Sequence, residues 1–225
     1  MTEKAGILYM VATPIGNLGD ITARALETLK TVDTILSEDT RVTGNLLRHF
    51  EIKKPLISFH EHTENDKAQK LIERMVAGES MALVTDAGTP GISDPGNVLV
   101  EMAVFAGMRV VPIPGANALG AIVSVAGINM REFMFLGFPP HKKGRETFFK
   151  KVVSSEYPVV YYESPHRVLK NLELLGSFDP ETKVVLGREL TKIFEEVVRG
   201  TVGEVKTYFT EHREKIKGEF VIIAY

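Results

Sequence analysis

The chain has 225 residues, of which 44% are hydrophobic and 25% charged; this is enough apolar material for one large domain or two compact ones and excludes a disordered chain. It contains no cysteine, which excludes disulfides, thiolate metal ligands, iron–sulfur clusters and a cysteine nucleophile. The formal net charge of −2 excludes a broadly basic protein, so any nucleic-acid surface must be a local patch. Residues 1–130 contain 11 basic and 15 acidic residues, whereas residues 131–225 contain 16 basic and 14 acidic ones, so we expect such a patch in the second half.

In the first half of the chain, apolar runs of strand length alternate with helical patterns. This alternation predicts an α/β fold with a mostly parallel sheet flanked by helices. The first elements in the chain are a buried strand, a Gly/Pro turn and a helix over 21–30, for which Asp20 is the predicted N-cap. The predicted strands are 7–12, 34–37, 56–59, 81–85 and 109–112. The further predicted helices are 41–50, 66–77, 97–106 and 116–126.

The pattern changes after Gly127-Ile128-Asn129, where strands stand close enough in sequence for antiparallel pairing. We therefore expect two domains, 1–128 and 129–225, the second with a mixed sheet and helices. Its predicted strands are 133–138, 159–163, 183–188, 196–201 and 219–224. Its predicted helices are 145–153, 168–175 and 202–210.

Three loops rich in glycine and proline follow predicted strands, at 13–19, 86–96 and 112–118. Glycine lets the main chain lie against a ligand and proline fixes the loop, and strand carboxyl ends are where open α/β sheets bind ligands. One such loop is typical of a tight turn, whereas three predict a shared crevice for adenine, ribose and carboxylate groups. The phosphate-binding GxxxxGK(S/T) and GxGxxG motifs are absent, which disfavours NTP hydrolysis and pyridine-nucleotide redox chemistry.

Charged residues follow two of these strands. Glu38, Asp39 and Arg41 are candidates for catalysis at the crevice, with the alternative that Asp39 or Thr40 caps the next helix. Asp86 ends another strand, where it either contacts a ligand or orders the amides of its own loop.

In the second half, Arg188 and Glu189 are candidates for catalysis or RNA positioning, or for an ion-pair network with Glu195 and Glu196 that stiffens the sheet. Ser164 before Pro165 predicts a helix N-cap. His166 and Arg167 would then project from the helix start, where they suit an RNA phosphate.

The densest basic cluster is the loop 141–145, which contains Lys142, Lys143 and Arg145. A charge run is usually solvated surface, but phenylalanines at 138, 148 and 149 flank this one, and bases stack on aromatic faces beside phosphate-binding cations. We therefore favour RNA contact here. His60-Glu61-His62 has metal-ligand residue types without a third partner, so we predict solvated histidines and no metal site.

Six segments strongly resemble, in order and over essentially the whole chain, the ribosomal RNA small-subunit methyltransferase I family, the RNA-acting branch of the tetrapyrrole methylases. They are VATPIGNLGDIT at 11–22, SEDTR at 37–41, the loop 86–96, PGANA at 114–118, YESPHR at 162–167 and GRELTK at 187–192.

The resemblance implies a two-domain, tetrapyrrole-methylase-like fold and a homodimer. Such an enzyme transfers a methyl group from S-adenosylmethionine to the 2′-oxygen of a cytidine in 16S ribosomal RNA, on the 30S subunit, with the cofactor in a cleft between the domains. The cofactor contacts it implies are Pro14, Thr89, Ile92, Asn117, Ala118, Tyr162 and Leu190, to which we add the strand-ending Asp86. The absence of cysteine fits a cytoplasmic location.

Many family members continue past the segment matching 218–221 into a small helical extension, whereas this sequence stops at Tyr225. We expect RNA binding to be weaker or different without it. No apolar run approaches the ~20 residues that cross a bilayer, so no membrane association is expected. Two other functions stay open: methylation of a precorrin or porphyrinogen ring, and S-adenosylmethionine binding without catalysis by a ribosome-associated protein.

Overall fold

The computed structural model describes residues 5–60, 65–94 and 96–225. The first part of the chain forms a five-stranded sheet in the order β3-β2-β4-β1-β5, in which every neighbouring pair is parallel. Its strands are β1 (Ile7–Val11), β2 (Thr34–Ser37), β3 (Leu56–Ser58), β4 (Met81–Val84) and β5 (Arg109–Ile113). The helices that join them are α1 (Ala23–Thr31), α2 (Thr40–His49), α3 (Asn65–Val76) and α4 (Asn97–Phe105).

Apolar side chains cover both faces of this sheet, because alternate residues of each strand point to opposite faces. Leu8 and Leu83 pack with the helices α3 and α4, whereas Val11 and Val84 pack with α1 and α2. A sheet buried on both faces explains why its strands are continuous apolar runs in the sequence. The predicted parallel sheet flanked by helices is confirmed.

The first helix starts later than predicted. Asn17 accepts a hydrogen bond from the amide of Gly19 at 3.0 Å, and a short 3₁₀ turn over Leu18–Asp20 forms first. Helix α1 then begins at Ala23, with Thr22 as N-cap accepting from the amide of Ala25 at 3.0 Å. The prediction of Asp20 as N-cap was therefore wrong, because the local turn uses those residues.

The second part of the chain forms a mixed sheet in the order β6-β7-β10-β8-β9. Strands β6 and β7 are parallel and the other pairs are antiparallel. Its strands are β6 (Met134–Phe135), β7 (Val159–Glu163), β8 (Lys183–Arg188), β9 (Glu196–Thr201) and β10 (Phe220–Ala224). The helices are α5 (Ala118–Ser124), α6 (Arg145–Val153), α7 (Val168–Phe178) and α8 (Val202–Glu211). The predicted mixed sheet is confirmed, with β6 shorter than expected.

The core of this second sheet lies against helices α6, α7 and α8. Tyr161, Phe149 and Phe209 are fully buried in it. The rings of Phe149 and Tyr161 meet edge to face with centroids 5.9 Å apart, and the ring of Phe209 meets that of Phe220 in the same way at 5.8 Å. Edge-to-face packing is a favoured arrangement of aromatic rings.

The chain divides into two compact units, one ending at Asn117 and the other spanning Ala118–Tyr225. This division lies earlier than the expected boundary between 128 and 129, because helix α5 packs against β10 and so belongs to the second unit. Among the described residues, no helix is both long and apolar enough to cross a bilayer.

Candidate active site

The loops after β1 and β4 are joined by paired main-chain hydrogen bonds. The amide of Thr13 donates to the carbonyl of Gly88 at 2.8 Å, and the amide of Gly88 donates back to Thr13 at 3.1 Å. The buried Thr13 hydroxyl also donates to the carbonyl of Thr85 at 3.1 Å. Two loops that lie far apart in the sequence are therefore fixed as one piece at the carboxyl edge of the sheet.

The loop after β5 closes on the same place. The Thr89 hydroxyl donates to the carbonyl of Ala116 at 3.2 Å. Gly115 passes so close to the end of β1 that a methyl group at this position would lie 2.9 Å from Cβ of Ala12. Gly88, at φ +89°, would place its Cβ 3.4 Å from a methyl carbon of Ile15. The predicted convergence of three Gly/Pro loops is thus found within the first unit.

A fourth loop, after β2, joins them through Asp86. Its Oδ1 accepts a hydrogen bond from the amide of Asp39 at 3.0 Å. The prediction that Asp86 orders amides of its own loop was wrong, because its side-chain hydrogen bond goes to the amide of a residue 47 positions earlier in the chain. Asp86 therefore ties the two strand ends together from an exposed position.

Asp39 is the N-cap of α2. It accepts from the amide of Arg41 at 2.8 Å and from the Arg41 Nε at 3.0 Å. The side-chain hydrogen bond from Arg41 lowers the pKa of Asp39 to about 2. Such a carboxylate is a weak base at neutral pH, so the geometry supports the capping alternative for Asp39. Glu38 precedes it, half-buried, in the same turn.

The cofactor candidates of the first unit all belong to these joined loops. Pro14 is buried, whereas Thr89, Ile92 and Asn117 are partly exposed. Ala118 is the first residue of α5 in the second unit. The glycines and short apolar side chains of these loops leave backbone amides and carbonyls accessible at the loop surface. Such a surface fits an adenosine-like ligand.

The other two cofactor candidates lie in the second unit. Tyr162 lies on the sheet face opposite Tyr161, with its ring centroid 5.0 Å from that of Phe135 and 5.3 Å from that of Phe138. Leu190 is 9% exposed and packs on Gly187, where a Cβ would lie 3.1 Å from its Cδ2.

Arg188 and Glu189 are held in a polar network. Arg188 is 7% exposed and donates to the carbonyl of Phe194 at 2.9 Å. Glu189, at φ +50°, accepts from Lys192 Nζ at 2.8 Å and from the amide of Glu219 at 3.0 Å. Burial raises the pKa of Glu189, but these hydrogen bonds outweigh it and lower the pKa overall. The contacts support the ion-pair alternative, in which these residues stiffen this end of the sheet.

Glu196 gives this network a pH dependence. It accepts from Lys215 Nζ at 2.7 Å and from the Tyr208 hydroxyl. Burial raises the pKa of Glu196, and the hydrogen bonds from Lys215 and Tyr208 more than offset this, so the net pKa is lowered from 4.5. Stabilisation by Glu196 is therefore present above about pH 4.5 and is lost as the pH falls through its folded-state pKa.

We expect the free energy of unfolding to fall in acid less steeply in Glu196→Gln than in the unchanged protein. Urea unfolding between pH 3 and 7 measures this difference. Equal pH slopes for the two proteins would contradict the assignment.

Arg167 faces inward. Its Nε lies 3.1 Å from the Ser164 hydroxyl and 3.2 Å from the buried carboxylate of Glu163, and its Nη1 donates to the carbonyl of Pro139 at 3.2 Å. Helix α7 begins only at Val168, so the prediction of Ser164 as its N-cap was wrong: the hydroxyl serves Arg167 instead. We therefore leave Arg167 out of the RNA surface proposed below; His166, which is exposed, stays a prediction.

The basic loop is exposed as expected. Lys142 and Lys143 are exposed, and Arg145 begins α6 half-buried. Of the flanking aromatic residues, Phe138 is 53% exposed and available for stacking, whereas Phe149 is fully buried in the core. Glu61 and His62 lie outside the described residues, within which no group of three metal-ligating side chains occurs.

Two features of the site were not predicted from the sequence. The pairing of Thr13 with Gly88 leaves no local signal, because it joins residues that are distant in the chain. Glu163 had a signal: it is a carboxylate at the end of the apolar run 159–162, a position that calls for buried partners.

Comparison with known proteins agrees with this architecture. The model of the family described as Tetrapyrrole (Corrin/Porphyrin) Methylases matches residues 7–206. The chain is 48% identical over 220 residues to ribosomal RNA small subunit methyltransferase I of Synechocystis sp., covering 97% of this chain and 78% of that protein. It is 45% identical over 225 residues to the protein of the same name from Haemophilus influenzae, covering 99% and 80%.

Two solved structures share the fold. Diphthine synthase aligns with a TM-score of 0.75 and 17% identity, covering 97% of this chain and 89% of that chain. A cobalt precorrin-4 methyltransferase of cobalamin biosynthesis aligns with a TM-score of 0.67 and 18% identity, covering 96% and 94%. At these identities the likeness concerns the fold alone.

Proposed function

Because the chain belongs to the tetrapyrrole methylase family, we propose that it is an S-adenosylmethionine-dependent methyltransferase whose substrate is small-subunit ribosomal RNA. One observation carries this proposal: the identity of 44–48% over nearly the full chain to many relatives named for that activity. We further propose that the acceptor is the 2′-oxygen of a cytidine in 16S RNA, modified on the 30S particle in the cytoplasm.

The joined loops of the first unit fit the methyl donor. Pro14, Thr89, Ile92 and Asn117, with Ala118 at the start of α5, are the residues we propose to hold it, and Tyr162 and Leu190 are the proposed contacts from the second unit. When bound, S-adenosylmethionine supplies an electrophilic methyl group on a sulfonium. Since positioning in such a displacement contributes roughly 7–11 kcal/mol, loops fixed by the Thr13–Gly88 and Thr89–Ala116 hydrogen bonds suit the task.

The ribose hydroxyl must give up its proton as its oxygen forms the new bond to carbon and the carbon–sulfur bond breaks. A well-placed base contributes roughly 10²–10⁴-fold. The pKa of Asp39, about 2, suits a positioning residue rather than this base. We propose Glu38, in the same turn, as the proton acceptor and Arg41, whose side chain is 88% exposed, as a cation that meets the RNA.

A methyl-transfer assay with tritiated S-adenosylmethionine tests the function. Naked 16S RNA, isolated 30S particles and a porphyrinogen are offered in parallel to the purified chain. We expect label in the 30S particles, at a cytidine ribose. Label in the porphyrinogen alone would replace the proposal with the tetrapyrrole activity, and cofactor binding without any transfer would favour the non-catalytic alternative.

The exposed lysines of the basic loop are the proposed RNA contacts of the second unit. Lys142→Glu with Lys143→Glu should weaken binding to 30S particles and reduce its dependence on salt, because two cations that contact phosphates are replaced by anions that repel them. Affinity for S-adenosylhomocysteine should not change, as calorimetry will show. Unchanged 30S affinity at moderate salt would remove this loop from the RNA surface.

We also propose a homodimer, supported by an apolar face on α4. Val98 is 51% exposed, Val104 60% and Phe105 95%, and apolar surface of this kind is typical of protein contacts. Phe105→Glu should shift the protein towards the monomer in light scattering after size exclusion. A dimer that persists in this variant at micromolar concentration would place the interface elsewhere.

A further inference from the structure

Helix α2 presents a cationic face to solvent. Arg41, Arg48 and His49 are exposed on it, and they stand seven and eight residues apart, which places them on one side of an α-helix. Lys53 is exposed just beyond the helix. We call the surface formed by Arg41, Arg48 and Lys53, with the imidazole of His49 beside them, the α2 cationic face.

The α2 cationic face differs from its surroundings in charge. The helix sequence TRVTGNLLRH contains no carboxylate, whereas α1, α3 and α4 each contain at least one. Residues 1–130 as a whole carry more acidic than basic residues. Arg41 is paired with Asp39, so the positive charge of this face rests mainly on Arg48 and Lys53. A positive stripe within a negative unit favours a polyanionic partner.

The helix also starts at the candidate site. Its N-cap, Asp39, is hydrogen-bonded through its amide to Asp86 in the loop after β4. Arg41 is the second residue of the helix, and Arg48 lies about 10 Å further along the axis, at 1.5 Å per residue. A strand of RNA whose acceptor ribose reaches the site would therefore have cations beside its backbone as it leaves.

The side chains are suited to contact an RNA backbone. Arg48 donates to Asn45 Oδ1 at 2.8 Å, which leaves further guanidinium hydrogens for a phosphate. Val42, 42% exposed between the cations, offers apolar surface to a ribose or base. On the opposite side of the helix, Thr43 and Leu47 are buried, so packing fixes the orientation of the face.

We propose that the α2 cationic face is a second RNA-binding surface, which tracks the ribosomal RNA backbone away from the acceptor nucleotide. The proposal rests on the function proposed above and assigns the first unit a share of substrate binding, in addition to that of the basic loop in the second.

Arg48→Ala with Lys53→Ala tests the proposal without changing Arg41 or Asp39. Removing two phosphate contacts should reduce the slope of log affinity against log salt for 30S particles by roughly 1.5–2. It should raise the KM for 30S particles while leaving kcat near its original value. The matched control is Lys67→Ala with Lys70→Ala on α3, which covers the other face of the sheet and should keep the original slope.

The free energy of unfolding and the comparison of the two salt slopes separate RNA binding from structural roles. Cations near a helix C-terminus also stabilise the helix, so a lower free energy of unfolding with unchanged RNA affinity would overturn the proposal. Equal loss of slope in both pairs would overturn it too, because any surface cation would then serve. If the unchanged protein neither binds nor methylates 30S particles, the proposed function itself fails, and that result precedes the variants.

Discussion

Replacing Glu163 by alanine is expected to lower the free energy of unfolding of the second unit by about 3–5 kcal/mol, the usual effect of removing one partner of a buried ion pair. Glu163 is 2% exposed, and its carboxylate accepts from the amide of Ser164 at 2.7 Å and from Asn171 Nδ2 and forms an ion pair with Arg167 Nε at 3.2 Å. Asn171 is fully buried, and without Glu163 its Nδ2 loses its acceptor where water is scarce. Arg167, whose side chain is 15% exposed, keeps Ser164 and Pro139 as acceptors but loses its counter-charge.

Tyrosine fluorescence during urea unfolding measures this loss, because five of the six tyrosines, all except Tyr9, lie in the second unit. Glu173→Ala is the matched control: this carboxylate is 66% exposed and pairs with Lys206 on the surface. Surface pairs contribute about 0–1 kcal/mol, so the control should unfold almost as the unchanged protein does. Similar losses in both variants would mean that the Glu163 cluster is no more important than a surface pair.

The sequence predicted the sheets better than the helix starts. Strands buried on both faces, such as Met81–Val84, are recognisable because burial requires an apolar run. Helix starts depend on which of several polar residues captures the first amides. Near residue 20, Asn17 formed a turn that displaced the start to Ala23, and near residue 164 the hydroxyl of Ser164 bonded Arg167. Neither competition is visible from residue types alone.

For the site, glycine and proline revealed which loops would meet, since their backbone chemistry is local. The bonds that join the loops are not local: Asp86 meets Asp39, and Thr13 meets Gly88, only after the parallel strands align. The role of Asp39 likewise depends on the folded structure, because the hydrogen bond that lowers its pKa comes from Arg41, two residues later, in a helix that first has to form. The sequence therefore identifies candidate residues for the site, but their roles depend on contacts between residues that are far apart in the chain.

Gly115→Ala is expected to reduce the methyl-transfer rate by up to about 10²-fold, the penalty of a misplacement near 1 Å in a reaction that depends on alignment. The added methyl group would lie 2.9 Å from Cβ of Ala12 and 3.6 Å from its carbonyl oxygen. Carbon atoms in contact stand about 3.5–4.0 Å apart, so the loop after β5 must move away from β1. The Thr89–Ala116 hydrogen bond would carry part of this displacement into the loop after β4.

Calorimetry should show weaker binding of S-adenosylhomocysteine to Gly115→Ala, while urea unfolding shows a loss of about 1–3 kcal/mol from overpacking. Gly44→Ala in helix α2 is the matched control, because its added methyl group would meet only Cδ1 of Leu56, at an ordinary contact distance of 3.8 Å. Alanine there should leave cofactor affinity unchanged and stabilise the protein by about 0.5–1 kcal/mol. If Gly115→Ala binds S-adenosylhomocysteine as tightly as Gly44→Ala does, the close approach of the β1 and β5 loops does not shape the cofactor site, and the donor must be held by other residues.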